Sequence, residues 1–156
     1  MLPMFIFSAN IAGEVFLKDT LSGDVKVCRG DNVWLVPQKT YDENRISLFY
    51  ITYNIDVQIM RGHLLNNRKK QAEKYINIVH NDQEYITNTF RKYKTSGAKT
   101  IKCNLNGKFN FKNITSGKYT ILSPIHYKIG TINTSSLANL EIIVKDKDMT
   151  VIVTNE

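Results

Sequence analysis

The chain of 156 residues is 42% hydrophobic and 22% charged, with a formal net charge of +7 and a sequence pI near 9.4. That length suits one domain with a real core, and the composition excludes an intrinsically disordered chain. No apolar run approaches the roughly 20 residues a transmembrane helix requires, and the basic charge is compatible both with an anionic partner and with an ordinary Lys- and Asn-rich surface.

The N-terminal "MLPMFIFSANIAG" is apolar for only a few residues and has no basic leader. It is compatible with the remnant of a secretory signal, but it reads better as a first strand, because "IAGEVFL" continues a β pattern with Val15 and Leu17 on one face. "LSGD" (21–24) predicts a turn on Gly23, and "VKVC" follows. "RGD" (29–31) predicts a second turn, and "NVWLVP" (32–37) an apolar strand ended by Pro37. Arg29-Gly30-Asp31 matches an integrin-binding tripeptide, yet a strand-connecting loop accounts for its Gly and Asp equally well.

The period then changes. Ala72, Ile76, Val79, Ile86, Phe90 and Tyr93 recur in steps of four and three, with Gln83 filling the one gap. That seam predicts a helix from about Arg68 to Lys94, roughly 40 Å long. Upstream, "YDENRISLFYITYNIDVQIMRGHLL" is mixed and predicts a short helix near Asp42 and another around 55–65, so that an α-hairpin forms. Gly97 in "TSGA" is the expected stop.

Beyond it the period is two. "KTIKC" leads to Asn106-Gly107, a strong hairpin-turn signal, and "KFNFK" puts Phe109 and Phe111 on one face. "NITSG" turns the chain, and "KYTIL" points Tyr119 and Ile121 inward. "LEIIVKDKDMTVIVT" (140–154) reads as a hairpin with a charged turn. There is no internal repeat and no low-complexity tract.

The stretch "NGKFNFKNITSGKYTI" resembles the hairpin of the carboxypeptidase regulatory-like domain, a transthyretin-like (prealbumin-like) β-sandwich. In that pattern two alternating aromatics fill the space between sheets, a glycine makes the tight turn, and the returning tyrosine packs beside them. "GEVFL" and "SGDVKVCRGDNVWLVPQKTYDENR" are similar to bacterial envelope relatives, which also carry a helical insert at the corresponding place. The resemblance spans about residues 10–156. It implies an α+β protein: a transthyretin-like antiparallel β-sandwich of seven or eight strands with an α-helical insertion. The whole chain, 1–156, is then a single domain, with the sandwich built from 10–40 and 97–156 and the insertion from 41–96. These motifs transfer a shape and no chemistry. The zinc-binding motif of the carboxypeptidases is missing, so peptidase activity is not implied.

The chain has two cysteines, Cys28 and Cys103. They are compatible with a structural disulfide in an oxidising compartment or with two separate buried thiols in the cytosol. The resemblance to envelope relatives with cysteines at both places favours the disulfide. Closing a loop of about 75 residues, it would stabilise the fold by roughly 4 kcal/mol on the chain-entropy estimate.

Between positions 61 and 94 lie eight basic residues, Arg61, Arg68, Lys69, Lys70, Lys74, Arg91, Lys92 and Lys94. Three acidic residues oppose them, so the segment carries five of the chain's +7. They are the candidate anion- or partner-binding residues, although a solvated helix with its other face on the sandwich explains them too. Tyr75, Phe90 and Tyr93 lie on or beside the seam, where they would be buried and so unable to stack on bases; there is no specific nucleic-acid signal. His63, His80 and His126 share no ligand spacing, and no metal or cofactor is expected. Hydrolase and phosphate-loop motifs are absent, so an enzyme is not expected. Sequons at Asn113 and Asn133 matter only in a eukaryotic secretory route.

The functional expectation is a non-enzymatic binding or scaffolding module of the bacterial cell envelope. It would be periplasmic or lipid-anchored through a leader outside this chain, with secretion as the second choice. Docking an envelope or secretion-system protein through the insert predicts a contiguous apolar patch left exposed. The alternative is a binder of an anionic polymer or membrane surface through the basic helix 61–94, which predicts cations clustered on one face.

Overall fold

The computed structural model describes residues 7–19 and 23–155. The apolar N-terminal stretch and part of the predicted "LSGD" turn therefore lie outside the described residues. Among them are eight strands: β1 (Ser8–Lys18), β2 (Val25–Val27), β3 (Asn32–Pro37), β4 (Lys99–Lys102), β5 (Lys108–Thr115), β6 (Gly117–Ile129), β7 (Ile132–Val144) and β8 (Met149–Val153). Three helices, α1 (Gln38–Glu43), α2 (Ile46–Leu65) and α3 (Lys69–Thr95), fall between β3 and β4.

The strands form two sheets. β2, β5 and β8 all pair with β1, while β4, β3, β6 and β7 lie in that order in the second sheet. Ile11, Val15, Phe111, Ile114, Val33 and Ile121 are among the side chains packed between the sheets. The second sheet is also covered on its far face, where Trp34, Val36, Leu122 and Leu137 meet the helices. A strand buried on both sides has no polar face. That is why "NVWLVP" reads as a continuous apolar run.

α3 follows the predicted seam. Ala72, Val79, Ile86, Phe90 and Tyr93 are buried, and Gln83 fills the gap by donating to the Asn133 carbonyl and, at 3.3 Å, to the Tyr53 phenol. Upstream, the short helix near Asp42 is α1 and the next helix packs on α3 as expected, but α2 begins at Ile46, well before position 55, and runs for 20 residues. Two apolar seams overlie one another in it. Ile46, Tyr50, Tyr53, Val57 and Met60 face the core, while Leu48, Ile51, Ile55 and Ile59 are exposed. Apolar residues on opposite faces blur a 3.6-residue period. Asn44, extended at φ −153°, separates α1 from α2, and its carbonyl accepts a hydrogen bond from the Tyr93 phenol.

Three predicted hairpins are not formed. β4 and β5 flank Asn106-Gly107 but lie in different sheets. The Asn104 carboxamide accepts from the amides of Asn106 and Lys108 at 2.9 and 3.0 Å, and the Val15 amide donates to the Gly107 carbonyl at 2.8 Å. The glycine therefore feeds β5 onto β1. β5 and β6 are likewise in opposite sheets, so the aromatic motif spans both layers. A bulge at Asn113 (φ 55°), whose amide bonds Asn10 at 3.0 Å, shifts the register from Ile11↔Phe111 to Ala9↔Ile114. Finally β8 leaves β7 and runs parallel to β1, with Asp148 accepting from the Asn10 amide at 2.8 Å. Alternation states which face of a strand is buried, not which neighbour it pairs with. The long hairpin that does form is β6–β7, thirteen residues a side, turned at Gly130 (φ 60°).

Candidate binding surface on the helical layer

Cys28 and Cys103 are joined in a buried disulfide that links the loop before β3 to the end of β4. Backbone bonds on both sides secure it: the Gly30 amide donates to the Cys103 carbonyl, and the Cys103 amide to Asp31, each at 3.1 Å. Asp31 is spent nearby, its carboxylate meeting His126 Nδ1 at 2.9 Å. The Arg-Gly-Asp tripeptide thus has its carboxylate turned into the fold.

The helices rest on β7 through paired hydroxyls. The phenol of Tyr50 lies 2.8 Å from Ser135 Oγ, and that of Tyr53 2.8 Å from Thr134 Oγ1. Burial pushes the Tyr50 phenol well above its ordinary pKa, the Ser135 hydrogen bond acting weakly the other way. It therefore stays neutral, and both residues hold α2 in one rotational setting.

With that setting, Leu48, Ile51, Ile55 and Ile59 turn to solvent, 61, 60, 55 and 36% exposed. They recur every three or four residues and make a stripe along the outer face of α2. Four large aliphatic side chains in a row exceed the scattered surface apolars of an ordinary monomer.

Beside the stripe, α2, the end of β1, Lys26 of β2, Tyr127 of β6 and the middle of β7 line an open cleft of about 490 Å³. Its floor holds Tyr127, whose hydroxyl pairs with Ser136 at 3.1 Å, while Ser136 donates to Asn54 Oδ1 at 3.4 Å. Burial raises the Tyr127 pKa. Lys26 Nζ sits 3.7 Å from the centroid of the Tyr127 ring, a cation–π contact. Across the cleft, Arg61 lies 3.9 Å from Asp19. Gln58 and Asn139 line the same space.

The predicted basic residues do not form one cluster, because they are spread along the helices. Arg61 is half-buried at the cleft, and Arg68, Lys69, Lys70 and Lys74 are exposed around the turn between α2 and α3. Arg91, Lys92 and Lys94 are exposed at the far end of α3. Seventeen residues of helix part Lys74 from Arg91, about 25 Å. Lys92 and Lys94 stand in the last turn, where they complement the helix dipole. No cluster of three or more metal-ligating side chains is present among the described residues, nor is any helix among them long and apolar enough to cross a membrane.

Sequence reasoning missed Lys26, Tyr127, Asn54, Gln58 and Asn139. They come from four elements, β2, α2, β6 and β7, and only Asn54 and Gln58 share a local spacing. The outer stripe of α2 had a signal, its spacing of three and four, which the inner seam masked.

No protein-family profile matches the chain, and no curated protein does. Among solved structures, it is similar to a Pseudomonas aeruginosa protein provisionally assigned to carbohydrate binding. The two are 13% identical with a TM-score of 0.53, over 96% of this chain and 90% of that one. At this identity the likeness is one of fold alone, a β-sandwich with added helices. A match to the pilus backbone protein RrgB of Streptococcus pneumoniae, 8% identical over 94% of this chain and 41% of that one, has a TM-score of only 0.30.

Proposed function

We propose that the protein is a non-enzymatic binding or scaffolding module of the bacterial cell envelope, and that it docks another envelope or secretion-system protein through its helices. In this reading the chain is a single domain, a transthyretin-like sandwich of the carboxypeptidase regulatory-like kind, with 41–96 as an insertion. The observation that carries it is the uncovered stripe Leu48–Ile51–Ile55–Ile59 on α2. Leaving so much apolar surface in water is unfavourable by about 25 cal/mol for each Å², so a partner that covers it gains affinity. The Cys28–Cys103 disulfide supports an oxidising compartment, periplasmic or membrane-anchored.

The test is a photo-crosslinking amino acid placed at Leu48 or Ile55 in the native host, with exposed Asn110 on β5 as the control. A discrete adduct from the α2 positions and none from position 110 is the expected result. Equal labelling at all three sites rejects the reading.

A second reading rests on Arg68, Lys69, Lys70 and Lys74, four exposed cations gathered at the α2–α3 turn. They suit an anionic polymer or membrane surface. Binding to anionic vesicles that weakens steeply with salt, and is lost when Lys69, Lys70 and Lys74 become Gln, would favour it.

A further inference from the structure

We infer that the cleft beside α2 receives an extended, acidic segment of the partner protein, lying along α2 with its aliphatic side chains against the isoleucine stripe. The inference rests on the docking reading above and names the chemistry that the docked surface selects.

Spacing is the first argument. Ile51, Ile55 and Ile59 stand one helical turn apart, about 6 Å along the axis. Every second side chain of an extended strand recurs at about 6.7 Å, so the two rows interdigitate over a short segment. Polar groups supply the second. The carboxamides of Gln58 and Asn139 have no hydrogen-bond partner among the described residues, and each offers a donor and an acceptor, the complement of a peptide backbone. Charge is the third. Lys26 and Arg61 both line the cleft, and the 3.9 Å Arg61–Asp19 contact is too long for a direct hydrogen bond. A ligand carboxylate complements these two cations.

The walls argue against a sugar as the occupant. Tyr127 already carries Lys26 over its ring, and Tyr50 is buried with its hydroxyl bonded to Ser135. The exposed apolar wall is aliphatic, which suits Leu, Ile or Val side chains.

The experiment is selection of a random twelve-residue peptide display library on the intact protein, followed by affinity measurement with the synthesised winners. Sequences alternating aliphatic and acidic residues are expected. Their affinity should fall at least tenfold for Lys26→Glu and for Arg61→Glu, and also for Ile55→Ser, an exposed position that does not disturb the fold. Peptides with Lys replacing the acidic residues should regain binding to the Glu variants, a rescue that a merely structural role would not produce. Winners without acidic residues, winners indifferent to all three substitutions, or no winners at all overturn the inference. So does an oligogalacturonate probe that shifts the amide resonances of Asn54 and Asn139 while the peptides do not; the cleft is then a saccharide site. If crosslinking at Leu48, outside the cleft, still yields its adduct when Lys26 and Arg61 are reversed, docking stands and the acidic-segment inference falls. If neither set of substitutions matters, both fall.

Discussion

Tyr53 and Thr134 place their hydroxyls 2.8 Å apart at a fully buried junction between α2 and β7. Tyr50 and Ser135 repeat the contact one turn away, also at 2.8 Å. Because α2 is apolar on opposite faces, hydrophobic burial alone does not choose which face is inside. The two hydroxyl pairs do, since rotating the helix would carry both phenols away and strand the buried Thr134 and Ser135 hydroxyls. The same bonds that seat α2 therefore decide that Leu48, Ile51, Ile55 and Ile59 face water.

Tyr53→Phe leaves Thr134 Oγ1 without its partner and removes one of the two acceptors of the Gln83 amide, and should cost about 1–3 kcal/mol. Adding Thr134→Val removes the orphaned hydroxyl and should return part of that loss. Urea unfolding of the two singles and the double provides the cycle. Strictly additive losses would show that the pair is not coupled.

Gly13 lies where β8 and the Phe109 ring come close to the backbone of β1. A Cβ there would lie 2.6 Å from the Val151 carbonyl and 2.7 Å from the Phe109 ring. Gly13→Ala must push β1 from β8 or tilt the ring, and should destabilise by about 1–3 kcal/mol. Phe109→Leu in the same chain relieves only the ring contact, so the unfolding midpoint should recover in part and stay below that of Phe109→Leu alone.

The helix of the regular seam and the doubly buried strand were legible because each is a local pattern with one environment per face. Ala72 through Tyr93 needed nothing but spacing, and Val33–Val36 nothing but continuity. Pairing was not legible. Phe109 and Phe111 alternate with polar residues whichever strand lies beside them, and only the bulge at Asn113 and the turn around Gly107 direct β5 to β1. The "KDKD" turn looked like a hairpin for the same reason, since its charges mark exposure and not the direction of the next strand. The cleft was further out of reach: Lys26 and Tyr127 are 3.7 Å apart in space and a hundred residues apart in sequence.

Asp82 on α3 titrates above the ordinary aspartate value, through burial first and the nearby Asp56 carboxylate on α2 second. Its charged form is thus disfavoured in the native state. The resulting loss of stability is absent below the unfolded value of 3.8 and fully present once pH exceeds the raised native value. Asp82→Asn should raise the thermal midpoint slightly at neutral pH, and the advantage should vanish as pH falls toward 3.8. A gain that is the same at both pH values would assign the effect to something other than ionisation.

The disulfide offers the largest single effect. Cys28 and Cys103 are 75 residues apart, and the bond restricts the unfolded chain over that whole loop, which includes all three helices. Replacing both with Ala should cost roughly 4 kcal/mol in urea unfolding. Most of the loss should appear as faster refolding of the bonded chain rather than as a changed native structure, because the loop-closure entropy is already absent from its unfolded state. Without reductant, neither thiol should take up an alkylating label even in denaturant; after reduction, both should. Labelling in denaturant alone would mean that the cysteines are free, and would remove the physical support for an oxidising compartment.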